Sequence, residues 1–155
     1  LVVVGSSFFG KGQDTPYVKK LRELAEPIKD KVIFTGFIDV ADLPVLYSQA
    51  TVFVSPVTWD DPSPKTIYEA AACEVPILSV ARGGIPEIVT NNDSALLLSP
   101  GFSGLDLSKA LNKLLNDPAL RKQLAASALK RVQDNFTCKL IGEQWGKAYQ
   151  DLIPN

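Results

Sequence analysis

One stretch, residues 58–89, constrains the fold more than any other part of the chain. It contains a strand end, an acidic pair, a helix start, an apolar helix, a second strand and a Gly-Gly turn into another helix start. Two helix N-termini therefore follow two strands in close succession. In an open parallel sheet, both would point into the crevice at the carboxyl ends of the strands, where ligands of such folds bind.

The rest of the chain continues to alternate short apolar runs with amphipathic segments. Residues 1–4 are an uninterrupted apolar run followed by a glycine, which predicts a buried parallel strand. Further strands are predicted at residues 32–35, 51–55, 75–77 and 94–98, and the central helix at about residues 64–73. This alternation is typical of an α/β fold with a doubly wound, Rossmann-like parallel sheet of about five strands.

From residue 105 onward the pattern is helical, with three amphipathic helices in succession. Residues 1–155 are expected to form a single domain, with an α/β core over 1–100 and C-terminal helices over 101–155, because 46% of the residues are hydrophobic. In the last helix, Trp145 and Tyr149 lie four positions apart, a spacing that favours a core contact, with an interface to another domain as the alternative.

The helix start after the acidic pair carries the residues of most chemical interest. Ser63 is a good N-cap, and Pro64 suits the first helical position. Lys65 is a cation in the first turn, where it opposes the helix dipole. A bound anion would remove that conflict, because amides, dipole and ammonium could converge on one phosphate. Alternatively, Lys65 points into solvent and forms a weak pair with Glu69 or Asp61.

A partial phosphate-loop motif occurs near the start of the chain. Residues 5–11 match the Gly-x4-Gly-Lys part of a P-loop, but Gly12 occupies the Ser/Thr position that would ligate magnesium. A P-loop also requires a helix to begin at once, whereas Thr15 as N-cap and Pro16 predict a start several residues later. A surface loop at the rim of the crevice is therefore favoured over the active site of a nucleoside triphosphatase.

Composition excludes several function classes. The chain has no histidine, so a Ser-His or Cys-His catalytic pair is excluded, and its two cysteines, Cys73 and Cys138, are not at zinc-ligand spacing. The net charge of −1 comes without a basic stripe, which argues against nucleic acid as a partner. The apolar runs are far shorter than a membrane span and no signal peptide is recognisable, so a cytoplasmic location is expected.

Several short motifs follow one another in a characteristic order. They are Asp61-x7-Glu69 with Ala70, Val75-Pro76-Ile77 and Gly83-Gly84-Ile85-Pro86-Glu87, together with Val4-Gly5, Phe34-Thr35-Gly36, Leu46-Tyr47 with Ala50, and Ser55-Pro56. In this order and spacing the chain resembles the retaining glycosyltransferases of family 4, which have the GT-B fold. The resemblance implies a nucleotide-sugar-binding C-terminal half of a two-domain enzyme, with a UDP- or GDP-sugar as substrate and no metal cofactor.

The resemblance also implies roles for individual positions. Glu69 corresponds to the second Glu of the family's E-x7-E motif, which hydrogen-bonds the ribose hydroxyls. Asp61 corresponds to the first acidic residue, close to the donor sugar and its reacting centre, and is the candidate catalytic residue. The backbone after Gly36, at Phe37 and Ile38, would flank the base.

The family's backbone donors to the diphosphate are replaced here by a different segment. Pro64 has no amide proton, so only the amides of Ser63, Lys65 and Thr66 can donate there. Gly5, at the end of the first strand, completes the predicted substrate-binding residues.

Two departures from the family pattern have structural consequences. Glu74 stands where a glycine usually ends the helix, which costs roughly 1 kcal/mol if that position is left-handed. A complete family domain would carry a further strand and helix before Leu1, bringing the Arg and Lys that neutralise the diphosphate. The missing strand predicts a homodimer or exchanged strands, and the missing N-terminal acceptor domain is the expected partner. Peripheral membrane association of the full-length protein is also expected from the family.

Three functions are compatible with these residues. The first is the donor-binding domain of a retaining glycosyltransferase that acts on a glycan or lipid-linked acceptor, and it would be inactive as an isolated chain. The second is a module that binds a nucleotide sugar without turnover. The third is a GT-B sugar-nucleotide epimerase, which the absence of histidine disfavours.

Overall fold

A computed structural model describes residues 1–5 and 14–153 of the chain. The chain divides into two compact units, Leu1–Pro44 and Val45–Asn155. The strands form two parallel sheets, β1-β2 in the first unit and β3-β4-β5 in the second. The predicted α/β class is therefore confirmed, although the five strands are divided between two sheets instead of forming the single sheet expected.

The first unit contains a strand–helix–strand arrangement. Its elements are β1 (Val2–Val4), α1 (Pro16–Ala25), a 3-10 helix (Glu26–Lys31) and β2 (Ile33–Gly36). Helix α1 begins as predicted, since the Thr15 hydroxyl accepts a hydrogen bond from the amide of Val18 at 3.3 Å. Within this unit α1 contacts β2 through the Arg22 guanidinium, which lies 4.6 Å from the centre of the Phe34 ring.

The first unit has no buried residue among those that the structure describes. Strand β1 is parallel to β2 as predicted, but the expectation that it is buried is wrong: Val2 is 51% exposed, and Ile33 beside it on β2 is 63% exposed. Two short strands and one ten-residue helix offer too little apolar surface to cover each other within the unit.

The second unit contains most of the regular structure. Helix α2 (Leu43–Gln49) begins at the boundary between the units, and the remaining elements are β3 (Phe53–Val54), α3 (Lys65–Ala72), β4 (Ile77–Val80), α4 (Ile85–Ile88), β5 (Leu96–Leu98), α5 (Gly104–Asn116), α6 (Pro118–Asn135) and α7 (Cys138–Leu152). Three C-terminal helices were predicted, and all three are present. In the described ranges, no helix is both long and apolar enough to cross a membrane.

Strand β4 is the centre of the second unit. It pairs with β3 on one edge and β5 on the other, and all four of its residues are buried. Successive strand residues point to opposite faces, so Ile77 joins the apolar cluster formed with α3 and α4, while Leu78 packs with Leu114 of α5 and Leu124 of α6. The first of these clusters contains Ile67, Ala70 and Ala71 and so fixes the position of α3, which carries Glu69 and the predicted amide donors.

The last helix contributes no buried side chain. Trp145 and Tyr149 contact each other, with ring centres 5.8 Å apart, but they are 60% and 56% exposed. The prediction that they lie in a core is wrong for this chain, because their face of α7 does not pack into either apolar cluster.

Candidate functional site

Helix α3 begins one residue later than predicted. Pro64 occupies the N-cap position with an extended backbone and no side-chain cap, and Lys65 is the first helical residue. The prediction of Ser63 as N-cap is therefore wrong. Its amide donates instead to Oδ1 of Asp61 at 2.9 Å, and its hydroxyl lies 3.4 Å from that of Tyr68. This local turn at Asp61 delays the helix start by one residue.

Two of the three predicted amide donors are available at this helix end. The Ser63 amide is engaged by Asp61, whereas the amides of Lys65 and Thr66 donate to no residue in the described ranges. Lys65 is exposed and takes part in none of the ion pairs between described residues, so the weak pair with Glu69 or Asp61 that was the alternative to anion binding is not formed. The Lys65 ammonium and two amides that have no partner among the described residues therefore lie at the positive end of the helix dipole.

The Gly-Gly turn, at Gly83 and Gly84, holds the backbone of the acidic loop. This loop comprises residues 55–64 between β3 and α3 and contains Asp60 and Asp61. The amide of Gly84 donates to the carbonyl of Asp61 at 2.8 Å. A Cβ on Gly84 would lie 2.7 Å from the carbonyl carbon of Pro62, and one on Gly83 would lie 2.8 Å from the amide nitrogen of Asp61. Glycine at both positions thus allows two backbone segments to touch and places Asp61 beside the start of α3.

Arg82 and Ser79 hold the first part of the same loop. The Arg82 guanidinium donates to the carbonyl of Thr58, and its Nε lies 3.7 Å from the Asp60 carboxylate. At the start of the loop, the buried hydroxyl of Ser79 donates to the carbonyl of Ser55 at 2.8 Å. These hydrogen bonds could not be predicted from neighbouring residues, since they join residues 24 positions apart.

Glu69 lies one turn into α3 and is partly buried. A partly buried carboxylate requires a hydrogen-bond partner, and the Tyr47 hydroxyl donates to Oε2 of Glu69 at 3.0 Å. Burial and the neighbouring Glu69 carboxylate raise the pKa of the Tyr47 hydroxyl above its usual range. Tyr47 belongs to one of the family motifs but had no predicted role, and this contact gives it one.

The remaining predicted site residues belong to the first unit, at the carboxyl ends of its strands. The amide of Gly5 donates to the carbonyl of Gly36 at 3.0 Å, and both glycines have positive φ angles, 124° and 70°. Phe37 is 59% exposed, whereas Ile38 is half-buried. Most of the partial phosphate-loop motif, residues 6–12, lies outside the described residues.

Two further expectations concern the end of α3 and metal binding. Glu74 has a φ of 55°, so this position is left-handed and the condition for the cost of roughly 1 kcal/mol is met. Cys73 is only partly buried, and desolvation raises the pKa of its thiol. No group of three His, Cys, Asp or Glu residues in the described part of the chain could hold a metal ion.

Residues 1–131 match the protein family described as Glycosyl transferases group 1. The chain belongs to this family. The match covers the strand ends of the first unit, the acidic loop, helix α3 and the Gly-Gly turn. The family predicted from the order of the motifs is thereby confirmed.

Individual relatives and solved structures give the same result. The putative glycosyltransferase YtcC of Bacillus subtilis is 31% identical over 153 residues, which are 99% of this chain and 38% of that protein. HepE of Anabaena in complex with UDP has a TM-score of 0.87 and 25% identity, with 97% of this chain and 40% of that one covered. Sucrose-phosphate synthase from Thermosynechococcus elongatus has a TM-score of 0.86 and 31% identity, with 97% and 38% covered.

These comparisons confirm the fold as the C-terminal half of a GT-B glycosyltransferase. The chain spans about two fifths of the length of the relatives that it matches.

Proposed function

We propose that this chain is the donor-binding domain of a retaining glycosyltransferase, which transfers a sugar from a UDP- or GDP-sugar to a glycan or lipid-linked acceptor. One observation carries the proposal. Glu69, a partly buried carboxylate, lies one turn behind a helix start at which two amides and the Lys65 ammonium have no described partner. A nucleoside diphosphate has the complementary groups, a ribose diol for the carboxylate and a diphosphate for the helix end.

Each residue of the second unit has a defined part in this proposal. Glu69 accepts from the ribose hydroxyls, and Asp61 orients the donor sugar near its reacting carbon. The amides of Lys65 and Thr66, with the helix dipole and the Lys65 ammonium, stabilise the charge that develops on the leaving nucleoside diphosphate. Ser63 and Pro64 shape this end of the site without donating to the phosphate, since the Ser63 amide is engaged by Asp61.

The first unit contributes the base-binding part of the proposed site. Gly36, Phe37 and Ile38 flank the base, and Gly5 lies at the rim. Gly5 and Gly36 have positive φ angles, which favour glycine at both positions. Since glycine has no Cβ, a ligand can approach the backbone closely there. In this proposal residues 1–155 act as a single nucleotide-sugar-binding domain without a metal cofactor, and HepE, which was crystallised with UDP, is the structural precedent.

We also propose partners for the full-length protein. An N-terminal GT-B domain supplies the acceptor site, so this chain alone is inactive. The protein acts in the cytoplasm, associates peripherally with the membrane when its acceptor is lipid-linked, and forms a homodimer. Cell fractionation and analytical ultracentrifugation test these statements, and a monomer at all concentrations would exclude the dimer.

A titration with UDP, GDP, ADP and uridine, followed by residue-resolved NMR, tests the donor site. The amides of Lys65, Thr66, Phe37 and Ile38 are expected to shift with one of the diphosphates, whose identity reports the base. We expect Lys65→Met to lower the affinity for the nucleoside diphosphate by about tenfold, as for a lost charge-assisted hydrogen bond. The affinity for uridine should not change.

The matched control is Lys147→Met, on an exposed part of α7, which should change neither affinity. Equal losses with uridine and the diphosphate, or shifts confined to other residues, would show that the phosphate site lies elsewhere. Transfer assays with the full-length protein then separate an enzyme from a binding module, because only the enzyme consumes the nucleotide sugar.

A further inference from the structure

The Glu69 carboxylate has one oxygen engaged and one to which no described residue donates. Its Oε2 accepts from Tyr47 at 3.0 Å, while no residue in the described part of the chain donates to Oε1. An ionised carboxylate offers about four acceptor positions, so the Tyr47 contact leaves most of them to a ligand. The single contact therefore orients the group without saturating it.

The Tyr47 hydroxyl is held by the core of the second unit. Its ring meets the ring of Phe53 on β3 edge to face, with centres 5.5 Å apart and an angle of 64° between the planes. Both rings pack against the apolar cluster that includes Ile67 on the buried face of α3. A tyrosine has few rotatable bonds, so this packing places the hydroxyl at a defined point beside the helix.

The contact also persists through the physiological pH range. Because burial and Glu69 raise the pKa of Tyr47 above its usual range, the hydroxyl keeps its proton and remains a donor. A glutamate side chain otherwise loses much rotamer freedom when it engages a ligand. A donor that already fixes the carboxylate reduces the entropy lost on binding.

We propose that Tyr47 is a positioning residue, which holds Oε2 of Glu69 so that Oε1 is presented to the vicinal hydroxyls of a ribose. This inference rests on the proposed function and assigns to it a residue from a different helix. Tyr47 lies on α2, 22 positions before Glu69, and in this proposal it acts on the nucleotide only through Glu69.

The test is Tyr47→Phe, which removes the hydroxyl and keeps the ring that packs on Phe53. Calorimetric titrations of the full chain with UDP and with 2′,3′-dideoxy-UDP measure the effect; if the NMR titration selects another base, that pair replaces them. UDP affinity is expected to fall about tenfold, as for one lost hydrogen bond to a charged group. Affinity for the dideoxy nucleotide should change by less than about twofold, because this nucleotide lacks the hydroxyls that would donate hydrogen bonds to Glu69.

A purely structural role for Tyr47 would give a different result. Tyr47→Phe would then lower the affinities for UDP and dideoxy-UDP equally, and that outcome would overturn the inference. An unchanged affinity for UDP would also overturn it. In a Glu69→Ala background, Tyr47→Phe should have no further effect on UDP, because a positioning residue acts only through its partner. An equal additional loss there would also overturn it. Tyr149→Phe, which removes an exposed hydroxyl on α7, is the matched control and should change neither affinity.

The design separates failure of this inference from failure of the proposed function. If Glu69→Ala weakens UDP but Tyr47→Phe does not, the inference alone is wrong. If the unaltered protein binds UDP and dideoxy-UDP equally well, Glu69 does not bind the ribose, and both the proposed donor site and the inference about Tyr47 are wrong. Should the Phe variant not fold, the ring 13Cζ resonance of Tyr47 in the unaltered protein replaces it: UDP should shift this resonance and dideoxy-UDP should not, and no shift with UDP overturns the inference.

Discussion

In the second unit, β4 has a neighbouring strand on each edge and an apolar cluster on each face. In the first unit, β1 pairs with β2, and every described residue keeps part of its surface in solvent. The side chains do not explain this difference, since β1 reads Val-Val-Val and β4 reads Ile-Leu-Ser-Val. Burial depends on how many layers surround a strand, and only the second unit supplies them.

The difference extends to the predicted site residues. In the second unit, Tyr47 of α2 holds the Glu69 carboxylate, and the Gly-Gly turn holds the backbone of Asp61. In the first unit, Gly5 and Gly36 are joined by one backbone hydrogen bond at the exposed ends of two strands. The residues proposed to bind ribose and phosphate therefore have a rigid frame, whereas those proposed to flank the base have few supporting contacts within their own unit.

The largest expected contrast comes from the same substitution made in each unit. Ile77→Ala removes a fully buried side chain from β4 and should lower the free energy of unfolding by about 2–5 kcal/mol. Ile33→Ala, at a position 63% exposed on β2, should change it by less than about 0.5 kcal/mol. Urea unfolding of both variants measures these values. A large loss for Ile33→Ala would show that β2 is covered in solution and would remove the contrast.

The Gly-Gly turn provides the next contrast. Gly84→Ala would drive a Cβ into the backbone of Pro62 and should cost about 1–3 kcal/mol of stability, as for other overpacked sites. Gly146→Ala, on α7, meets no atom within 4 Å and should stabilise the helix by up to about 1 kcal/mol. Thermal unfolding followed by circular dichroism compares the two. If Gly84→Ala were neutral, the close approach of the turn to the acidic loop would be incorrect.

The smallest contrast concerns left-handed backbone positions. Glu74 has a φ of 55° in the second unit, and Glu74→Gly should raise the free energy of unfolding by about 1 kcal/mol. Gly36 has a φ of 70° in the first unit with open space around it, so Gly36→Ala should lower the free energy by a similar amount through backbone strain alone. Chemical denaturation of each variant measures whether its free energy of unfolding rises or falls. A loss of stability in Glu74→Gly would mean that the Glu74 side chain makes a compensating contact.

Local signals in the sequence predicted the order of elements well. Thr15 with Pro16 predicted the start of α1, and in the structure Pro118 begins α6 directly after α5 has ended at Asn116. These features depend on residues within about four positions of each other, so neighbouring side chains decide them whatever the rest of the chain does. The family motifs were also read directly from their spacing.

Only the tertiary structure decided which elements are buried and which side chains meet. The Tyr47–Glu69 hydrogen bond and the Gly84–Asp61 contact each join residues more than 20 positions apart. Strand β1 and the Trp145–Tyr149 pair have the apolar character of core segments and yet are exposed. Hydrophobic pattern states what a segment can bury, whereas burial itself requires other layers of the fold to lie against it.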